Sequence, residues 1–338
     1  MRLALVGCGG VGRKRALALR ALGSRHDLLA VCDVDPARAA AVAALFPGAV
    51  ATGDSRAAVE TEGVEAVVVA TTHDALAPVA RVAIEAGRHV FVEKPAARSL
   101  DEVEELRSLL ARHAVPRVVV QVGLNHRYHP ALREARRLVD EGALGELMFV
   151  RARYGHGGRL GYESEWRANP AVSGGGELVD QGIHLIDLSR WFLGDFPRAS
   201  GHLRTLFWKM PVDDNAFLFL ETAGGRVAWL HASCTEWKNL FSFEITGKTG
   251  KVEIQGLSGS YGVERIVYHR MRPEMGPPET TVTEFPGEDL SWQLELEDFE
   301  RTIADGVPRG ATLEDAAAAW RVVEAVQASD AGEGSTAG

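Results

Sequence analysis

Over roughly the first 120 residues, short apolar runs alternate with alanine-rich amphipathic stretches, the pattern of a parallel sheet wound by helices. Strands are expected near 2–7, 28–33, 49–52, 65–71, 89–93 and 117–122, with helices near 11–22, 36–45, 55–61, 75–86 and 99–113. Gly23, Pro47, Gly63, Gly87 and Pro116 fall where one element should give way to the next. Ser99 followed by Glu102 reads as a capping box for the fifth helix.

After Asn125 the pattern changes. A helix near 130–141 ends at Gly142, a strand follows near 146–154, and a glycine- and arginine-rich loop occupies 155–176. One long helix near 177–193 precedes strand-like segments near 199–208, 214–222, 226–236, 241–246, 250–255, 263–270 and 279–285. Phe243-Glu244-Ile245 and Lys251-Val252-Glu253-Ile254-Gln255 alternate apolar and polar positions as a half-exposed hairpin does. Helices near 291–305 and 312–328 close the chain, and 329–338 are small and polar enough to fray. The expected organisation is an α/β domain of the doubly wound parallel type over 1–123. An α+β domain with a large, open-faced, mainly antiparallel sheet is expected over 124–330, and a flexible tail over 331–338. All seven tryptophans lie after residue 150, which assigns the large aromatic surface to the second domain.

Composition narrows the function classes. With 46% hydrophobic and 25% charged residues in 338, the chain has an ordinary soluble balance. A net charge of -9 and a pI near 5.7 work against generic binding to nucleic acid or anionic lipid, which leaves a small-molecule partner. No apolar run is long enough to span a bilayer. The sequence runs straight into Arg2-Leu3-Ala4-Leu5-Val6-Gly7, with no room for a leader ahead of it. Cys8, Cys32 and Cys234 are too few and scattered for a disulfide framework or a zinc site, and as buried free thiols they fit a cytoplasmic location.

Three stretches carry candidate chemistry. Gly7-Cys8-Gly9-Gly10-Val11-Gly12 closes the first strand and opens the first helix. Gly7 permits a tight turn, Gly9 lets backbone approach a pyrophosphate, and Gly12 lets helix and strand pack closely, while the helix N-terminus offers free N–H groups. The next strand ends at Asp33, 21 residues past Gly12, where a carboxylate accepts ribose hydroxyls and repels a ribose phosphate; this favours NAD over NADP, although Arg38 lies near in sequence. The bland alternative is a nucleotide-free domain with structural glycines.

The second stretch is Gly174-Gly175-Gly176-Glu177-Leu178-Val179-Asp180-Gln181-Gly182-Ile183-His184. From Leu178 onward this helix is apolar on nearly every side, yet Asp180, His184 and Asp187 stand at i, i+4 and i+7 on one face. Buried ionisable groups need partners. A satisfied Asp–His hydrogen bond, a metal site lacking further ligands, or an acid/base pair in which Asp180 orients His184 would each explain the stripe. The third stretch, His89-Val90-Phe91-Val92-Glu93-Lys94-Pro95, is an apolar strand ending in an amine. Six lysines against 31 arginines make a lysine there a candidate titratable group, with a solvated strand-end residue as the alternative. In the 155–176 loop, His156, Arg159, Tyr162, Glu165, Trp166 and Arg167 offer donors and aromatic faces for a polyhydroxylated ring, or arginines for a phosphate or carboxylate.

Taken in order, the glycine turn with Asp33, the Glu93-Lys94-Pro95 strand end and the Gly174 to His184 helix resemble the Gfo/Idh/MocA family of oxidoreductases over nearly the whole chain. Gln121-Val122-Gly123 before Arg127 and Pro130, and Leu144-Gly145-Glu146, add to the resemblance. The resemblance implies that Lys94, Asp180 and His184 form a catalytic group beside the nicotinamide. It places Glu93 near the ribose and Thr71, Thr72 and His73 in the cofactor cleft; Gly7, Gly9, Gly10, Val11, Gly12 and Gln121 are the other expected cofactor contacts, and Arg127, His156, Tyr162, Trp166 and Arg167 the expected substrate contacts beside Lys94, Asp180 and His184. It also implies a homodimer or homotetramer formed through the open sheet face. His126 stands where family members often have arginine or phenylalanine, and Thr71-Thr72-His73-Asp74 where many have Pro-x-x-His. The expected function is NAD-dependent hydride transfer to or from a secondary alcohol carbon of a sugar or cyclitol, without metal. The alternatives are a redox-neutral sugar-modifying enzyme that recycles NAD through a transient ketone, and a non-catalytic NAD-binding sensor or assembly subunit.

Overall fold

The computed structural model describes residues 1–112 and 118–334, which fall into two compact units. The first comprises Met1–Asn125, Ala171–Gly174 and Ser291–Ala317, and the second His126–Pro170, Gly175–Leu290 and Ala318–Gly338. Pro116, the beginning of the sixth expected strand at 117 and the last residues of the expected tail at 335–338 lie outside the described residues.

In the first unit six strands, β1 (Arg2–Val6), β2 (Asp27–Cys32), β3 (Val50–Thr52), β4 (Ala66–Val69), β5 (His89–Glu93) and β6 (Val120–Gly123), form a parallel sheet of order β3-β2-β1-β4-β5-β6. The order reverses between β1 and β4, the switch point outside whose strand ends such sheets bind ligands. Helices cover both faces, so β4 is buried at every residue instead of alternating. Asp35 and Asp54 cap the helices Pro36–Ala43 and Ser55–Glu60 by accepting from backbone N–H groups one turn in. The capping box at Ser99 is half realised. Ser99 Oγ accepts from Glu102 N at 3.3 Å, but Glu102 turns to the backbone and guanidinium of Arg98.

The helix Ser291–Asp305 belongs to this unit and not to the second domain that the sequence division gave it. Its Leu296 and Phe299 enter the same core as Leu3, Leu19 and Phe91, and Trp292 packs against that core. Amphipathic spacing shows that a helix covers something; it does not show which sheet. Nearby, Ala311 accepts from Val122 N at 2.8 Å and so caps the edge strand β6.

The second unit is built on eight strands, β7 (Leu147–Gly155), β8 (Arg198–Arg204), β9 (Asn215–Glu221), β10 (Val227–Ser233), β11 (Leu240–Gly247), β12 (Gly250–Gln255), β13 (Glu264–Arg270) and β14 (Glu279–Phe285). Their order is β14-β13-β12-β11-β7-β10-β9-β8, antiparallel except for β7 beside β10. Burial alternates strictly along β11, as a sheet with one covered face requires. The helices Pro130–Asp140 and Ile183–Leu193 pack on that face, with Phe192 5.9 Å from Phe243. The closing helix runs Leu313–Gly334, six residues beyond its expected end. No helix among the described residues is long and apolar enough to cross a membrane.

Candidate active site

The glycine turn of the first unit is shaped by close backbone approaches. Gly7 adopts φ +97° with the backbone of Ala70 where a Cβ would stand, at 2.4 Å. A Cβ on Gly12 would meet the carbonyl oxygen of Gly7 at 1.8 Å, so helix and strand touch where only glycine fits. Gly9 and Gly10 have nothing within 4 Å of a Cβ, which leaves open space over the N-terminus of the helix Gly10–Ala21. That opening, together with the free N–H groups and the absence of an acidic residue in the first turn, fits a pyrophosphate. Asp33 closes the turn: Oδ2 accepts from Cys8 N at 2.6 Å and Oδ1 from Asp35 N at 2.8 Å, so its carboxylate is fixed at the end of β2. Arg38 is exposed and paired with Asp35 at 3.2 Å.

The other residues expected on the cofactor side have more varied surroundings. Thr71 and Thr72 sit between β4 and the helix His73–Glu85, Thr72 donating to Asp74 at 2.6 Å. The buried ring of His73 is hydrogen-bonded through Nδ1 to the Ser173 carbonyl at 2.7 Å. Lys94 follows β5 and is half-buried. Glu93 accepts from Arg15 Nε at 2.5 Å, and Arg15, fully buried, also reaches Glu295 at 2.7 Å. The Arg15 guanidinium lies between the Phe91 and Trp292 rings, 4.3 and 4.5 Å from their centroids. Burial opposes the charge of Arg15, but its two carboxylates outweigh that and raise its pKa. Glu93 is thus the anchor of a buried ion triad, a commitment that its place in the motif does not reveal. Gln121 is likewise held inside, its amide donating to the Glu295 carbonyl at 3.1 Å.

In the second unit the helix that carries Asp180 and His184 begins with a π-helical turn, Leu178–Gly182, before the α-helix Ile183–Leu193. Asp213, far along the chain, caps it: its carboxylate accepts from Gly176 N at 3.1 Å and Leu178 N at 2.8 Å, and its carbonyl from Glu177 N at 3.0 Å. Gly176 permits this, because a Cβ there would lie 2.0 Å from the Asp213 carbonyl oxygen. A π turn carries an extra residue and is common at functional sites, so the simple i, i+4 reading does not fully describe how Asp180 is aimed.

The three members of the stripe are buried and have different partners. Asp180 accepts from Arg167 Nε at 3.0 Å. The His184 ring lies against His126, with centroids 3.9 Å apart, and 5.9 Å from Tyr154. Asp187 takes a two-pronged pair from Arg127, at 2.8 Å from Nε and 2.5 Å from the second nitrogen. The guanidinium edge expected to meet substrate is therefore committed to a carboxylate whose burial demands a counter-charge.

Loop residues separated from the helix by several glycines fold back onto it. The Tyr162 hydroxyl donates to Glu177 Oε1 at 2.9 Å, and the His156 ring lies 5.6 Å from Tyr162. Arg167 stacks on Trp166 at 4.5 Å while it holds Asp180; burial opposes its charge, and Asp180 overrides this to raise its pKa. Arg159 is exposed and paired with Glu165 at 2.5 Å. Four residues that sequence reasoning did not select belong to this cluster: His126, Tyr154, Glu177 and Tyr261. Burial, then the charge of Asp180, pushes the Glu177 carboxyl up to about 8, against the opposing hydrogen bond from Tyr162. Burial also raises Tyr154 well above the phenolic range, with Tyr261 adding to the shift, and brings Tyr261 to about 12. The signal for Glu177 was present, since a carboxylate opening an otherwise apolar helix needs a partner. Among the described residues no group of three His, Cys, Asp or Glu is placed to hold a metal ion.

Family models match both parts of the chain: an oxidoreductase family with an NAD-binding Rossmann fold over residues 1–123, and a GFO/IDH/MocA C-terminal domain over 132–253. The chain belongs to the Gfo/Idh/MocA oxidoreductases. Among relatives of this family, inositol 2-dehydrogenase 2 of Saccharopolyspora erythraea is 28% identical over 96% of this chain and 91% of that protein. Levoglucosan dehydrogenase of Pseudarthrobacter phenanthrenivorans is 26% identical over 75% and 73%. A levoglucosan dehydrogenase structure in complex with NADH and L-sorbose has TM-score 0.88 at 23% identity, covering 98% of this chain and 97% of that one, which shows the fold. GenD2 from gentamicin A biosynthesis, solved in complex with NAD, has TM-score 0.83 at 27% identity, covering 98% and 94%.

Proposed function

We propose that this oxidoreductase is an NAD-dependent dehydrogenase that moves a hydride between the nicotinamide and a secondary alcohol carbon of a free sugar or cyclitol. The observation that carries the reading is Asp180 and His184, ionisable and buried on an otherwise apolar helix, beside a loop of hydrogen-bonding and aromatic side chains. Membership of the family supplies the redox class. Relatives named for inositol and levoglucosan support a polyhydroxylated ring as substrate.

NAD, when bound, supplies the hydride acceptor. In this reading the open backbone at Gly9 and Gly10 takes the pyrophosphate, and Asp33 accepts from the adenosine ribose hydroxyls and repels a ribose phosphate. Val11 lies within the turn, and Thr71, Thr72 and His73 line the cofactor side. His184 accepts the proton of the substrate hydroxyl, Asp180 fixes the imidazole, and Lys94 holds the same oxygen and stabilises its developing negative charge. Trp166 and His156 face the ring of the sugar. Self-association through the open sheet belongs to the same reading: Phe219, Trp229 and Val282 stand in one cross-strand row with Arg151 and Glu244, and all three are more than half exposed.

Lys94→Ala and His184→Ala should each lower turnover by about two to four orders of magnitude while leaving NAD affinity within a few-fold. Near-normal turnover in both variants would remove the proposed roles. Asp33→Ser should shift the preference between NAD and NADP toward NADP by about tenfold, read from the two affinities.

A further inference from the structure

Glu177 is part of no step above. It stands one residue before the π turn that carries Asp180 and is 2% exposed. Its Oε1 takes the Tyr162 hydroxyl, and its Oε2, shielded from solvent, has no hydrogen-bond partner of ordinary geometry. Tyr162 is itself buried and belongs to the loop that also supplies Arg167 to Asp180. The loop and the helix are thus joined at two neighbouring points: a phenol on Glu177 and a guanidinium on Asp180.

We propose that Glu177 is a positioning residue that, through Tyr162, ties the 155–170 loop to the start of the catalytic helix and so fixes the substrate side of the site. This inference rests on the functional reading above only for its consequence in turnover. Its physical basis is the pair of contacts from the loop to the helix start, Tyr162 on Glu177 and Arg167 on Asp180, in surroundings whose burial favours the neutral form of Glu177 over the charged one. The groups facing it are Asp180 on its own helix, Asp213 beneath the backbone, Tyr162 and His156 from the loop side, and Cys234 after β10, with Tyr154 and Tyr261 sensing its charge. Two of these are carboxylic acids, two are buried hydroxyl or thiol groups whose own ionisation is suppressed, and His156 is 3.9 Å away. An ionised Glu177 would place a second buried anion beside Asp180, with the Tyr162 phenol and the Cys234 thiol as donors and His156 3.9 Å away. The clamp should weaken steadily as pH rises from the ordinary carboxyl value of 4.5 toward about 8 and change no further above that.

Hydrogen exchange of the 156–170 amides, on the full chain with NAD present, tests this without requiring a known substrate. Wild type should lose loop protection progressively, by at most about tenfold per pH unit, as pH rises toward about 8 and then level, beyond the intrinsic pH dependence of exchange. Glu177→Gln, which keeps a neutral acceptor for Tyr162, should hold protection throughout. Tyr162→Phe should lose it at every pH. The infrared band of a protonated carboxyl, present at neutral pH in wild type, should be missing in Glu177→Gln. In turnover, Tyr162→Phe should raise KM more than it lowers kcat, and Glu177→Gln should extend activity to higher pH. The same decline of protection with pH in Glu177→Gln, or wild-type protection in Tyr162→Phe, would overturn the proposal. If no sugar or cyclitol is turned over but the decline appears and Glu177→Gln removes it, the positioning role stands and the functional reading fails by itself.

Discussion

The glycine turn of the first unit is made almost entirely of backbone: two glycines at close approaches and two over open space, a helix N-terminus and one carboxylate held by two backbone N–H groups. The polar cluster of the second unit is made of side chains drawn from β7, the loop after it, the π turn and the segment near Cys234, with protonation shifted by burial. The first kind of site is written locally, because glycine spacing and strand-to-helix order dictate it within a few dozen residues. The second depends on which distant side chains the fold brings together. A substitution in the turn should act on binding and folding at once, whereas one in the cluster should act through charge and orientation.

The largest effect belongs to Gly12→Val. Its side chain would collide with the Gly7 carbonyl, so the variant should lose measurable NAD binding by calorimetry. Wild-type affinity would show that the turn can rearrange and would weaken the contrast. Next is Arg15→Ala, which strands Glu93 and Glu295 in the core and should cost about 3–5 kcal/mol in denaturant unfolding. That result would show that the first unit, too, depends on a side-chain network beside its backbone-built turn; a cost within experimental error would place the triad at the margin of stability.

The smallest effect is the pH dependence of stability from Glu177. Its folded-state pKa of about 8 lies above the ordinary carboxyl value of 4.5, so between these limits the native state holds a proton that the unfolded state has released. Stability from this group is therefore present at low pH and lost as pH rises toward about 8, with a slope of at most about 1.4 kcal/mol per pH unit. Asp213, raised to about 6 by burial, has the same sign, so the difference between wild type and Glu177→Gln isolates Glu177. The gap between their melting temperatures should change steadily from about pH 5 to about pH 8 and then level. A constant gap would mean that the carboxyl is already charged at neutral pH.

Most of the fold was legible from the sequence. The parallel strands lie within a residue or three of their expected limits, because buried apolar runs and the Gly and Pro between them are local signals. The helix Ser291–Asp305 was placed correctly along the chain and assigned to the wrong unit, and Trp292 with it, because an apolar stripe does not name the surface it covers. The polar stripe Asp180, His184 and Asp187 was visible as a conflict with its apolar helix. Its partners Arg167, His126 and Arg127 were not, since pairing across tens of residues leaves no trace in local spacing. The π turn and the remote cap by Asp213 escaped for the same reason.

The most direct measurement is a screen of free sugars and cyclitols with NAD and then NADP, following absorbance of the reduced cofactor in wild type and in His184→Ala. The account predicts turnover with NAD on at least one polyhydroxylated ring, reduced in the variant by about two to four orders of magnitude at similar NAD affinity. Tight nucleotide binding with no reduction on any member of the panel would contradict it, and would favour a redox-neutral enzyme or a nucleotide-binding sensor.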